Sequence, residues 1–148
     1  MSGIVCAIRG GPHSQSTIDR AISLAREKEL PLYFLYVVNL DFLAYTTSTR
    51  THTINQEMEQ MGEFILLTAQ SRAAGQGMEA EGIVRHGIVG EEIVELCKEL
   101  NADYLVLGRP QLEDEEANVF THARLKAFAD FVKEQSGAET VILKGDDG

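Results

Sequence analysis

Basic residues are scarce in this chain: 13 Lys and Arg stand against 23 Asp and Glu, a formal net charge of −10 at pH 7. Nucleic acids and anionic membrane surfaces are held by clustered Lys and Arg that neutralise phosphates, so neither is expected as a partner. Cysteine is nearly absent as well. Cys6 and Cys97 sit in apolar runs, Ile4-Val5-Cys6-Ala7-Ile8 and Ile93-Val94-Glu95-Leu96-Cys97, and read as buried thiols packing as small hydrophobes rather than as a redox pair. No apolar stretch reaches the roughly 20 residues of a membrane span. No basic-then-apolar leader precedes the first apolar run, so a cytoplasmic location is expected.

What is present suffices for a core. The chain has 148 residues, 44% apolar and 24% charged, and a domain of that size buries roughly two-thirds of the surface of its unfolded chain. One domain over 1–148 is expected, with 144–148 as a flexible tail. No internal repeat or low-complexity tract divides it.

Residues 3–8 form a short run rich in Ile and Val, broken by Arg9-Gly10-Gly11-Pro12, as a strand buried on both faces would be. Ser14 or Ser16 can cap the next helix, whose Ile18, Ala21, Ile22 and Ala25 follow the i, i+3, i+4, i+7 rule. Pro31 ends it, and Leu32 to Val38 is a second strand dense in aromatic and β-branched residues. Residues 39–53 read as a long connection. Thr53 and Gln56 match a capping box, opening a helix with Met58, Met61, Ile65 and Ala69 inward that ends near Gly75 or Gly77. Met78 to Val84 is an edge strand with one wetter face.

Gly87 and Gly90 lead into a helix with Glu91 and Glu92 in its first turn, where carboxylates suit the dipole, and Ile93, Leu96, Cys97 and Leu100 inward. Tyr104 to Leu107 is a fourth strand closed by Gly108, and Thr140 to Leu143 a fifth. Between them lie an acidic loop, Glu113-Asp114-Glu115-Glu116, and a helix with Leu125, Phe128, Ala129 and Val132 inward. Alternating strands and helices predict an α/β fold: one open, doubly wound sheet of five parallel strands with helices on both faces.

Several local motifs then fall in register with a known family. Arg9-Gly10-Gly11-Pro12-His13-Ser14 follows the first strand, Leu35-Tyr36-Val37-Val38 lies in the second, and Val84-Arg85-His86-Gly87 precedes Glu92-Ile93. Ala102-Asp103-Tyr104-Leu105-Val106-Leu107-Gly108 and Thr140-Val141-Ile142-Leu143 complete the set. In order and spacing this resembles the universal stress protein family over essentially the whole chain. The resemblance implies strand order 3-2-1-4-5 and a homodimer formed through the exposed fifth strand, Glu139 to Lys144.

It also implies where ATP would bind, and there the chain departs from the pattern. ATP-binding members hold the ribose with an acidic residue after the first strand and wrap the phosphates with Gly-x2-Gly-x9-Gly-(Ser/Thr). Here Gly108 keeps the first glycine, but Gln111, Thr121 and His122 stand at the other positions, or Lys126-Ala127 at the last two where an insertion is allowed, and Arg9 replaces the acid. The four carboxylates of 113–116 would repel a triphosphate. ATP, or AMP bound the same way, is therefore not expected, and no cofactor is assigned.

In open α/β sheets ligands bind beyond the carboxyl ends of the strands where strand order reverses, here between the first and fourth strands. The candidate cleft comprises Arg9, Gly10, Gly11, His13, Val38, Arg85, His86, Gly108 and Arg109. Either these cations hold a small anion or nucleotide through bidentate Arg contacts, or Arg9 and Arg109 pair with the acidic run and close the cleft. In a third reading the acidic run is simply solvated. No motif sets Ser14 against His13, His52, His86 or His122 as a nucleophile would need, and no metal-ligand spacing occurs. Catalytic and metal residues are thus not assigned. The expected function is a non-enzymatic stress-response or regulatory module acting through protein contacts; the alternative is a sensor for a small anion.

Overall fold

The computed structural model describes residues 3–8, 14–38, 50–108 and 115–143. The apolar runs become strands β1 (Ile4–Ala7), β2 (Leu32–Val38), β3 (Ala80–His86), β4 (Tyr104–Gly108) and β5 (Glu139–Leu143). They alternate with helices α1 (Ser14–Lys28), α2 (Arg50–Gly75), α3 (Val89–Leu100) and α4 (Glu115–Ser136). The sheet order is β3-β2-β1-β4-β5, every pairing parallel. The predicted doubly wound α/β sheet is the observed one.

Central strands explain why the sequence shows runs rather than alternation: both faces are covered. Ile4, Cys6, Phe34, Tyr36, Val38 and Val106 pack under α1 and α2, with Ile18, Ala21, Ile22, Ala25, Leu66, Ala69 and Ala73. Their neighbours Val5, Leu35, Leu105 and Leu107 point the other way, against Ile93, Leu96 and Cys97 of α3 and Val132 of α4. A fully buried Leu, Ile or Phe contributes about 1.5–3 kcal/mol, so Phe34, Leu35, Leu96 and Leu105 are principal supports of the two layers.

The amino edge of the sheet is laced by backbone hydrogen bonds outside the ladders. The Ile4 N–H donates to the Pro31 carbonyl at 2.9 Å, the Asp103 N–H to Gly3 at 2.7 Å, and the Glu139 N–H to Asp103 at 2.9 Å. Successive strands are thereby pinned to one another before their regular pairing begins.

Helix ends share one device. Glu29 (φ 56°), Gly77 (φ 79°), Asn101 (φ 50°) and Gly137 (φ 81°) are left-handed. After α1, α2 and α3 the next N–H reaches back to close the last turn: Leu30 to Ala25 at 3.0 Å, Met78 to Ala73 at 3.0 Å, and Ala102 to Cys97 at 2.9 Å. This is the Schellman arrangement. It stops α1 at Lys28, so the break falls at Glu29, before Pro31. It also takes the Met78 N–H, so β3 runs over Ala80–His86, two residues later than the periodicity suggests.

Other boundaries differ too. α2 starts at Arg50, upstream of the Thr53 capping box, and residues 39–49 lie outside the described residues. α4 starts at Glu115, so the last two acidic residues of 113–116 open a helix, as carboxylates at a positive dipole end can; Glu113, Asp114 and the 144–148 tail are outside the described residues. Met61, predicted inward, is 57% exposed. The inward position next to it belongs to Gly62, against which the Tyr36 ring packs so closely that a Cβ there would collide with it.

Candidate functional site

Around the reversal point, β1 lies between β2 and β4, and α1 begins just past the carboxyl end of β1. The free N–H groups of a helix's first turn, with the positive end of its dipole, make such a place receptive to anions. Arg9, Gly10, Gly11 and His13, which join β1 to α1, and Arg109 after β4 are outside the described residues. The remaining candidates are Val38, Arg85, His86 and Gly108.

Val38 is fully buried at the end of β2, and its carbonyl accepts the Gly87 N–H at 3.1 Å. Its side chain belongs to the core layer under α1 and α2. Gly108 ends β4 over α1: a Cβ on it would stand 2.7 Å from Oγ1 of Thr17. Thr17 is the one buried polar side chain among the described residues, 5% exposed, and its carbonyl faces the Cys6 thiol at 4.0 Å. Sequence reasoning passed over Thr17. The available signal was its place four residues before Ala21, on the inward stripe of α1.

Arg85 and His86 pair with Val37 and Val38 across β2 and β3, so both are strand residues rather than turn residues. Arg85 donates from Nη2 to Oε2 of Glu99 at 2.6 Å. Glu99 lies in the last turn of α3, which carries the chain back toward the amino ends of the strands. The guanidinium is thus drawn along the flank of the sheet. His86 Nε2 lies 3.9 Å from Oε2 of Glu59 on α2, both side chains 43% exposed. Arg85 and His86, the described side chains of the predicted rim that can carry positive charge, therefore have carboxylates of their own chain beside them.

Cys6 and Cys97 are free and buried, on opposite faces of the sheet, so the sheet itself keeps the two thiols from pairing. Burial raises both thiol pKa values, that of Cys97 to about 12, which leaves them protonated and unreactive at neutral pH. Among the described residues no group of three or more His, Cys, Asp or Glu could hold a metal ion. No helix among them is long and apolar enough to cross a membrane.

Residues 1–121 match the model of the universal stress protein family. The chain is a member of that family. Universal stress protein YxiE of Bacillus subtilis is 29% identical over 113 residues, covering 71% of this chain and 76% of its own. Among solved structures, UspA of Lactobacillus plantarum superposes with a TM-score of 0.75 at 16% identity, over 97% of each chain. A universal stress protein in complex with cAMP does so with 0.70 at 21% identity, over 98% of each. These two likenesses establish the fold.

The family frame gives the start of α4 a meaning. Thr121 and His122 stand where the phosphate-wrapping pattern has its last glycine and its hydroxyl residue, and both lie inside α4, which begins at Glu115. Only the first four N–H groups of a helix are free; from the fifth residue on, each is bound to the carbonyl four residues before it. The backbone donors at these two positions are consumed by the helix.

Proposed function

We propose that this universal stress protein is a non-enzymatic regulatory module that acts through protein contacts and does not hold ATP in the manner of the family's ATP-binding members. The observation carrying this reading is the early start of α4, which converts the phosphate-wrapping segment into helix and occupies the N–H groups at Thr121 and His122. The lost glycines, Arg9 at the ribose position and the carboxylates of 113–116 act in the same direction. Pairing through the β5 edge, Glu139 to Lys144, would give a homodimer, since that strand has a partner only on its β4 side among the described residues and α4, which packs on β5, carries Phe131 at 47% exposure. Two free buried thiols suit a reducing, cytoplasmic setting.

Thermal shift with ATP and magnesium tests the central claim. A ligand at 100 times its dissociation constant adds about 2.7 kcal/mol of stability, so a clear rise in Tm with ATP would defeat it.

A second reading, a binding site for a mononucleotide or other small anion, is favoured by the solved neighbour that holds cAMP. A single phosphate needs no triphosphate loop; the free first turn of α1 beside Gly108 could serve it. A shift with cAMP or AMP and none with ATP would select this reading.

A further inference from the structure

A long helix flanking a sheet should turn a charged face to water. α2 does not. Opposite its buried face of Gly62, Leu66, Ala69 and Ala73 lie Gln60, Met61, Phe64, Leu67, Thr68 and Ser71, all exposed and none charged, with the exposed Glu63 along one flank beside Leu67. Met61 is 57% exposed, Phe64 71% and Leu67 64%. This ridge is about 17 Å long and has a charge at each end: Glu57 on the same line one turn before Gln60, and Arg72 on its flank beyond Ser71.

We propose that the ridge is a self-pairing surface, on which two copies of the chain pack α2 against α2, antiparallel, about a two-fold axis beside Phe64. An axis passing between residues 64 and 65 sets positions equally far on either side of that point opposite each other in the two copies. Phe64 then stands opposite Ile65, about one helical rise of 1.5 Å along the axis from its own counterpart, Met61 opposes Thr68, and Glu57 opposes Arg72. At about 100° per residue, Glu57, Met61, Thr68 and Arg72 all fall on the same flank of Phe64, and a two-fold axis keeps that flank on one side of the pair. The contact is isologous, with the opposite-charge pair made twice. A parallel arrangement would instead set Glu57 against Glu57. Arg72 already donates from Nε and Nη2 to Asp19, which uses two of the five donors of a guanidinium. The ridge is small beside a standard interface of about 800 Å² per partner, so pairing in the micromolar range follows.

The test is the mass of the full chain in solution between about 1 and 100 μM, with site-specific cross-linking. Phe64→Cys should form an interchain disulfide on mild oxidation, while Ala74→Cys, exposed off the ridge near the helix end, should not. Phe64→Glu should halve the mass: dimer to monomer, or tetramer to dimer if β5 also pairs. Its Tm at low concentration should stay unchanged, because the side chain is exposed. Glu57→Lys should weaken pairing several-fold. A chain monomeric at 100 μM, an unchanged mass for Phe64→Glu, or equal cross-linking at 64 and 74 would each overturn the proposal. So would a fall in Tm for Phe64→Glu without a change in mass.

Discussion

The hydroxyl of Thr17 occupies the space that a side chain on Gly108 would need, 2.7 Å from where its Cβ would stand. β4 is held on both sides, by β1 and β5, and cannot shift aside. Gly108→Ala should therefore destabilise the protein by about 1–3 kcal/mol, the usual effect of overpacking a filled core. Thr17→Ala removes the obstructing oxygen. In a double-mutant cycle followed by urea denaturation, Gly108→Ala made in the Thr17→Ala background should lose most of its effect. Additive losses would mean that the two residues do not meet.

Glu29 ends α1 in the left-handed region at φ 56°, where an L side chain costs about 1–2 kcal/mol and glycine does not. Its side chain is exposed, so little else is lost with it. Glu29→Gly should stabilise the protein by about 0.5–1 kcal/mol, part of the gain being offset by the freer unfolded chain. Differential scanning calorimetry should show a rise of a few degrees.

Asp19 of α1 is gripped by Arg72 of α2 through Nε at 2.5 Å and Nη2 at 2.7 Å, with Gln76 at 3.4 Å. The hydrogen bond from Arg72 holds the Asp19 carboxyl below its ordinary pKa. A carboxyl whose folded pKa lies below its unfolded value adds stability above the unfolded value, and that stability is lost as pH falls through the folded one. Both groups are about 40% exposed, so the effect is small and screened by salt. Urea midpoints of the native protein and Asp19→Asn should differ at pH 7 and converge in acid, as pH falls through the folded pKa of Asp19; a difference that persisted there would exclude this linkage.

Burial predicts the thiol chemistry. Neither Cys6 nor Cys97 should react with a disulfide reagent at pH 8 in the native protein, and both should react once denaturant unfolds it. One thiol reacting rapidly in the native state would show that its layer opens.

The sheet could be read from the sequence because β1, β2 and β4 are buried on both faces, which leaves continuous Ile, Val, Leu and aromatic runs that no surface element would carry. α1 was equally plain, its inward stripe being apolar apart from Thr17. Where a structural reason lay outside local pattern, the reading drifted. The outward turn of Met61 depends on Tyr36 packing onto Gly62, a contact between elements 26 positions apart in sequence. The late start of β3 depends on the closing hydrogen bond of α2. Thr17 was hidden because a hydroxyl on a helix ordinarily signals its wet side. Arg85 could be named as a cation at a strand end, but its pairing with Glu99 depends on the path α3 takes back along the sheet.

The hydrogen bonds that lace the amino edge hold the register of the strands at the end away from the junction of β1 and α1. Pro31, Gly3 and Asp103 tie the strands together where no ligand is expected, so strand alignment does not rely on the loops at the opposite edge. Those loops can be rewritten without loosening the sheet. The start of α4 at Glu115 then needs no compensating change elsewhere in the fold, and grafting a glycine-rich loop between β4 and α4 should leave the strand alignment intact.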